Sequence, residues 1–329
     1  MNPIIVLVSL VVLIMGAVIV TSYYLYNMAI KRSRQALLSH KQDLAQIESS
    51  SDPLFPELAI LPADAQPASV EQSGVEWVES QKHEIWRMTS EEGLKLIAYY
   101  LPAPIATAKT VIIAHGYTSK GKEMGNFARF YYEKLGYNVL LPDDRGHGAS
   151  EGDYIGFGWI DRKDYLLWIQ KVVDTVGKDG QIVLHGLSMG GATVMMVSGE
   201  ALPEQVKVIV EDCGYTSVYD QLAYQLKQRY KLPRFPLVPV TSFLTKIKAG
   251  YYFHEASALK QLQKNKLPML FIHGDSDTFV PTEMVWRLYQ ACTTEKDIYI
   301  VKGASHGMAY GTDQPTYEQK VAEFVGQYI

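Results

Sequence analysis

The chain has 329 residues, 47% of them hydrophobic, with a formal net charge of -4 and a pI near 6.1. That is enough apolar material for one large core, and nothing in the length requires two catalytic domains. The acidic balance supplies no basic stripe to neutralise phosphates, which argues against nucleic acid as a partner. Cys213 and Cys292 lack zinc-like or redox spacing, so they read as two separate buried thiols.

At the N-terminus, Pro3 to Ile30 holds no charged residue, and Ile4 to Tyr26 is largely apolar. That run is long enough to cross a hydrocarbon layer of about 30 Å. Residues 1–30 are therefore expected to be a single membrane-spanning anchor. A cleaved signal peptide is the competing reading, but nothing basic precedes Pro3. Lys31, Arg32, Arg34 and Lys41 follow the span, so the positive-inside rule places the bulk of the chain in the cytoplasm. Tyr23, Tyr24 and Tyr26 are expected at the membrane interface.

Residues 31–74 read as a juxtamembrane segment and linker. An amphipathic stretch from Lys31 to about Glu48 needs no role beyond spacing, and the Ser, Pro and Ala-rich region from Ser49 to Gly74 reads as an extended tether. The folded domain is expected over 75–329.

There, short β-branched runs alternate with helical patterns, which predicts a mostly parallel sheet covered by helices on both faces. The runs are Leu94 to Leu101, Thr110 to Ala114, Asn138 to Leu141, Gln181 to Leu184, Val206 to Val210, Met269 to Ile272 and Ile298 to Val301. His83 to Met88 can add an antiparallel edge strand. Residues 215–265 are longer than a crossover needs. They hold YDQLAYQLKQRY, a proline-rich break and a short helix around Phe243 to Ile247, and read as a lid. Its aromatics, Tyr224, Tyr230, Phe235 and Phe243, suit either ordinary packing or the roof of an acyl pocket.

The most informative segment is QIVLHGLSMGG, Gln181 to Gly191. It reads as a buried strand entering a sharp turn with Ser188 at the apex and an apolar helix behind it. Gly186 and Gly190 leave room for a turn that presents the Ser188 hydroxyl outward. In open α/β sheets, function collects at the carboxyl ends of strands. Those ends carry His115-Gly116-Tyr117, the stretch Pro142 to Ser150, the Ser188 turn, HGDSD from His273 to Asp277, and GASHG with His306. A serine hydroxyl needs an imidazole to take its proton and a carboxylate to orient that imidazole. Ser188, Asp277 and His306 offer these groups, while Asp275, Glu211 and Asp212 are competing carboxylates.

Together, HGYTS, DDRGHGAS, GLSMGG, HGDSDTFVP and GASHGMAY, in that order, resemble the α/β-hydrolase superfamily from about His83 onward. The likeness is to bacterial membrane-anchored serine hydrolases of the esterase and S9/S33 peptidase-like branch. The resemblance implies an α/β-hydrolase fold, with Ser188 as nucleophile, His306 as base and Asp277 as its orienting acid. It also implies an oxyanion hole from the backbone N–H groups of Tyr117 and Met189. HGY replaces the HGGG of many lipases, so the Tyr117 hydroxyl is an alternative donor.

His115, His147, His185 and His273 read as structural, and Arg145 as an internal partner of Asp143 or Asp144. No metal and no cofactor are expected. The expected activity is hydrolysis of carboxylic esters through an acyl-enzyme. A peptidase or amidase, a thioesterase, and an inactive membrane-tethered binding module are the alternatives.

Overall fold

The computed structural model describes residues 2–50 and 70–329, so much of the expected tether lies outside the described residues. Eight strands form one sheet: β1 (Glu84–Thr89), β2 (Lys95–Leu101), β3 (Lys109–Ala114), β4 (Asn138–Pro142), β5 (Gln181–Leu187), β6 (Val206–Asp212), β7 (Met269–Gly274) and β8 (Lys296–Val301). Their order is β1-β2-β4-β3-β5-β6-β7-β8. The pairs β1/β2 and β2/β4 are antiparallel, and every other pair is parallel. β5 lies in the interior of the sheet, which explains why its run is apolar on both faces.

The two-residue period of the strands divides the core. Ile112, Ile182 and Leu184 face one side, where Trp168, Ile169 and Met196 cover them. Val111, Ile113 and Val183 face the other, against Phe127, Tyr317 and Val321. The covering helices are α4 (Gly125–Arg129), α5 (Asp161–Val176), α6 (Met189–Val197), α10 (Glu283–Ala291), α11 (Ala309–Thr312) and α12 (Gln314–Val325). This is the α/β-hydrolase architecture.

Ahead of the sheet stand α1 (Pro3–Ala29), α2 (Arg34–Ser50) and α3 (Val70–Ser80). α1 is long and apolar enough to cross a membrane, and its most apolar stretch is unburied. Its last turns behave differently: Ser22, Tyr26 and Ile30 are buried in the body of the protein. Tyr26 is thus a packing residue, whereas Tyr23 and Tyr24 remain exposed.

The segment after α1 is more than a spacer. Ile155 donates its amide to Ile30 O at 2.8 Å, Arg32 donates its amide to Asp153 O at 2.9 Å, and Lys31 bridges to Tyr154. The Arg32 side chain is buried and donates to the carbonyls of Ser150 and Gly148, each at 2.9 Å. Its charge therefore serves the loop at 148–152 and is unavailable to anionic headgroups. Burial of Ile30 alone contributes about 1.5–3 kcal/mol. α2 adds Lys120–Asp43 at 2.9 Å and a 3.0 Å contact from His40 Nδ1 to Gly148 O.

Between β6 and β7 lie α7 (Val218–Tyr230), α8 (Arg234–Ala249) and α9 (Ala258–Leu262). The proline-rich stretch breaks the chain as expected, at Phe235, and the regular part of α8 follows it directly. Phe235 is extended, the Phe235–Pro236 peptide is cis, and Pro239 lies in an early turn. A proline near a helix N-terminus removes only an N–H that has no intrahelical partner or a weak one, so the helix continues to Ala249.

Candidate active site

Ser188 stands between β5 and α6 with φ 57° and ψ -111°. That left-handed conformation is costly for a residue with a side chain and is held by its surroundings. The Ser188 amide donates to Asp212 O at 2.7 Å. A Cβ on Gly186 would lie 2.1 Å from Gly190 O, and one on Gly190 would lie 2.0 Å from Ala114 O. The two glycines therefore let the turn fold against itself and against the end of β3.

Ser188 Oγ is 2.7 Å from His306 Nε2, and His306 Nδ1 is 2.7 Å from Asp277 Oδ2. A carboxylate can only accept, so Nδ1 carries the proton and Nε2 is left to accept from the serine hydroxyl. Asp277 Oδ1 accepts from the amides of Phe279 and Val280 at 2.8 and 2.9 Å. Burial opposes ionisation of Asp277, but hydrogen bonds from His273 and His306 outweigh it and hold the carboxyl well below its ordinary range. His306 lies against the Phe279 ring, with centroids 4.8 Å apart.

The competing carboxylates are engaged elsewhere. Asp212 Oδ2 accepts from Tyr317 Oη at 3.0 Å, Glu211 Oε2 from the Gly214 amide at 2.9 Å, and Asp275 Oδ1 from the Gly303 amide at 2.7 Å. Burial pushes Glu211 up to about 8 and Asp212 up to about 6.

On the opposite side, Met189 is the first residue of α6, where helix N–H groups have no intrahelical acceptor. Gly116 packs close to Ser188: a Cβ there would lie 3.7 Å from the serine Cβ. The amides of Tyr117 and Met189 donate to no other group among the described residues. The Tyr117 hydroxyl, by contrast, donates to Ala29 O at 3.0 Å, and its ring stacks on Phe157. That hydrogen bond engages the hydroxyl and leaves the amide as the other Tyr117 donor.

Three histidines have partners away from this chain of hydrogen bonds. His115 Nε2 accepts from the Asp144 amide at 3.0 Å, His147 Nδ1 faces Arg145 O at 3.1 Å, and His185 sits between the hydroxyls of Tyr131 and Tyr317. His273 differs, because its Nε2 lies 2.9 Å from Val280 O and 3.3 Å from Asp277 Oδ2. It is a second imidazole on the acid, and the i, i+4 spacing within the HGDSD turn is the signal that could have revealed it. Arg145 pairs with Asp164 through two 2.7 Å bonds and with Glu92 at 2.9 Å, rather than with Asp143 or Asp144. Both of those carboxylates instead accept from nearby groups: Asp143 from the amides of Gly121 and Ala149, and Asp144 from the Tyr165 hydroxyl.

Cys213, read from sequence as an isolated thiol, lies beside the site. Its sulfur and the donor atoms of Asp277 and His306 lie within 4.8 Å of one another. A metal shared by these groups would have to displace the 2.7 Å hydrogen bond between Nδ1 and Oδ2. Burial, then the neighbouring acids, raise the Cys213 thiol well above its usual value, so it stays protonated.

A cavity of about 350 Å³ lies between the pre-sheet segment and the Tyr117 loop, lined by Met28, Arg32, Ser39, Tyr117, Lys120 and His147 among others. Met28 also lines a small apolar groove with Leu25, Leu226, Tyr230 and Val238.

Fold and strand-end chemistry together define a serine hydrolase of the α/β-hydrolase fold. Residues 126–329 match the model of the prolyl oligopeptidase family, and the chain belongs to that family. It is 32% identical to the protein YqkD of Bacillus subtilis over 236 residues, 72% of this chain and 77% of that one. A thermostable monoacylglycerol lipase of a Bacillus species is 25% identical, covering 66% of this chain and 90% of the lipase. In structure, the chain is similar to an esterase of Pyrococcus furiosus, with a TM-score of 0.62, 23% identity and coverage of 83% of this chain and 99% of the esterase. It is also similar to an acylaminoacyl peptidase of Pyrococcus horikoshii, with a TM-score of 0.57, 17% identity and coverage of 78% and 42%.

Proposed function

We propose that the protein hydrolyses carboxylic esters by two-step acyl transfer, with Ser188 as nucleophile, His306 as general base and acid, and Asp277 as the group that orients His306. The observation that carries this reading is the unbroken line Oγ to Nε2 to Nδ1 to Oδ2, with both hydrogen bonds at 2.7 Å and the serine held in a strained turn. His306 takes the hydroxyl proton as Oγ bonds to the carbonyl carbon. The amides of Tyr117 and Met189 stabilise the resulting oxyanion, helped by the positive end of the α6 dipole. His306 then gives its proton to the departing alcohol. Water enters, loses a proton to the same imidazole, attacks the acyl carbon, and Ser188 leaves with the proton restored.

An ester is favoured because the Tyr117 loop is bonded directly to the end of the apolar helix α1, a position suited to amphiphilic acyl substrates. The similarity to a monoacylglycerol lipase supports the same choice. Amide or peptide cleavage is the second reading, supported by the family match and the acylaminoacyl peptidase neighbour.

The test uses the full-length protein in detergent, wild type beside Ser188→Ala. p-Nitrophenyl esters of graded chain length, matched anilides and a fluorophosphonate probe supply the readouts. Ester turnover and covalent labelling, both lost in the variant, are expected. Faster anilide than ester turnover would move the assignment to a peptidase, and silence of the folded wild type on all three would leave a binding module.

A further inference from the structure

Helix α8 has two unlike faces. Leu237, Val238, Thr241, Ser242, Thr245 and Ala249 are buried. Phe235, Phe243 and Ile247 are 73%, 54% and 66% exposed, so they form neither core nor pocket roof. Phe243 and Ile247 are four residues apart on one side of α8, and Phe235 stands in the extended backbone just ahead of the regular helix. Lys231, Arg234 and Lys248 are exposed close by. A row of large apolar side chains beside cations is the composition of a surface that lies in a lipid headgroup layer.

The position of α8 against α1 fixes its depth. Ser22 Oγ donates to Leu237 O at 3.4 Å, Thr241 Oγ1 lies 3.5 Å from Ser22 O, and Lys248 Nζ lies 5.7 Å from the Tyr23 ring centroid. The run from Pro3 to Val20, at about 1.5 Å per residue, covers about 27 Å and fills a hydrocarbon layer of about 30 Å. Ser22, about 3 Å past the end of that run, then stands at the boundary between the hydrocarbon and a headgroup layer about 5–7 Å deep. Whatever crosses α1 at Ser22 stands at that depth too, and α8 crosses there.

We propose that the outer face of α8 docks onto the membrane surface, with Phe235, Phe243 and Ile247 inserted among the headgroups and the basic residues favouring anionic lipid. The proposal rests on α1 lying in a bilayer. It makes α8 a membrane-facing element.

The test reconstitutes the full chain into phosphatidylcholine vesicles, with and without phosphatidylglycerol. An environment-sensitive fluorophore is placed at Phe243→Cys, Leu13→Cys or Ile105→Cys, and nitroxide lipids quench it. Cys213 and Cys292 are each 1% exposed and leave the introduced thiols as the reactive ones. The proposal expects shallow quenching at position 243, strengthened by phosphatidylglycerol, deep quenching at 13 and none at 105. Quenching at 13 without quenching at 243 overturns the docking and leaves the anchor standing, whereas no quenching at 13 removes both.

A double variant, Phe243→Glu with Ile247→Glu, gives a functional reading. Turnover of a long-chain ester held in vesicles should fall at least fivefold while turnover of soluble p-nitrophenyl acetate is unchanged. Equal effects on the two substrates would also overturn the proposal.

Discussion

The hydroxyl of Tyr117 donates to the carbonyl of Ala29 at 3.0 Å, tying the loop beside Ser188 to the last turn of the apolar N-terminal helix. One side chain thus faces two tasks. In the proposed mechanism its amide receives negative charge, while its phenol fastens the pre-sheet segment. The two can be separated. Tyr117→Phe removes the phenol and keeps the amide, so it should cost about 1 kcal/mol of stability, the usual net worth of one hydrogen bond. Its kcat should stay within about fivefold of wild type, whereas loss of an oxyanion donor costs about 10²- to 10³-fold. Thermal unfolding and steady-state ester kinetics on the same preparation check both halves.

The choice of acid is tested by a pair of substitutions. Asp277→Asn would let the side chain donate toward His306 and favour the wrong imidazole tautomer, so kcat should fall about 10³- to 10⁴-fold. Asp212→Asn alters a group bonded to Tyr317, not to His306, and should change kcat by less than about tenfold. The reverse pattern would transfer the acid role to Asp212.

Arg32 is the buried link between the N-terminal segment and the loop at 148–152. Arg32→Ala leaves the carbonyls of Gly148 and Ser150 without their charged donor and should lower stability by about 2–3 kcal/mol. Chemical denaturation of the full-length protein in detergent measures it. A fragment beginning at Val75 would lose Arg32 together with the buried Tyr26 and Ile30, and should unfold at a lower temperature than the full chain.

Two buried acids give opposite pH signatures. Asp277 is held below its usual range, so its contribution is complete above a pH of about 4 and disappears as the pH falls through the folded value. Glu211 is pushed up to about 8, chiefly by burial. The folded state therefore keeps that proton after the unfolded chain has lost it. Its contribution is complete below about pH 4 and declines as the pH rises toward 8, by up to about 1.4 kcal/mol per pH unit. Denaturation between pH 5 and 8 should show this decline in the wild type and a shallower one in Glu211→Gln.

Local pattern carried the sheet well, because each strand is a short β-branched run and the ends of those runs hold His115, Ser188, His273, Asp277 and His306. The α/β-hydrolase fold and the family follow from motifs in which glycine spacing and strand ends coincide. What pattern could not carry was long-range contact. Nothing near Arg32 in the chain announces that its partners are carbonyls more than 100 residues away, and a basic residue after an apolar run reads by default as a topology signal. The same holds for Arg145, whose carboxylate partners come from a helix and a turn instead of its own loop. The prolines of α8 were legible as a break, which falls at Phe235, but not as the start of a helix that runs on to Ala249.

The buried end of α1 bears on how the chain can be processed. Tyr26 is 5% exposed and Ile30 is wholly buried, and the backbone around them is hydrogen-bonded to residues 153–155. A peptidase that cut just after Ala29 during export would extract Tyr26 from the core and leave Tyr117 without its acceptor. The catalytic body and its leader would have to part at a cost in folding stability, so any shed form that keeps its activity should carry a new N-terminus ahead of Ser22.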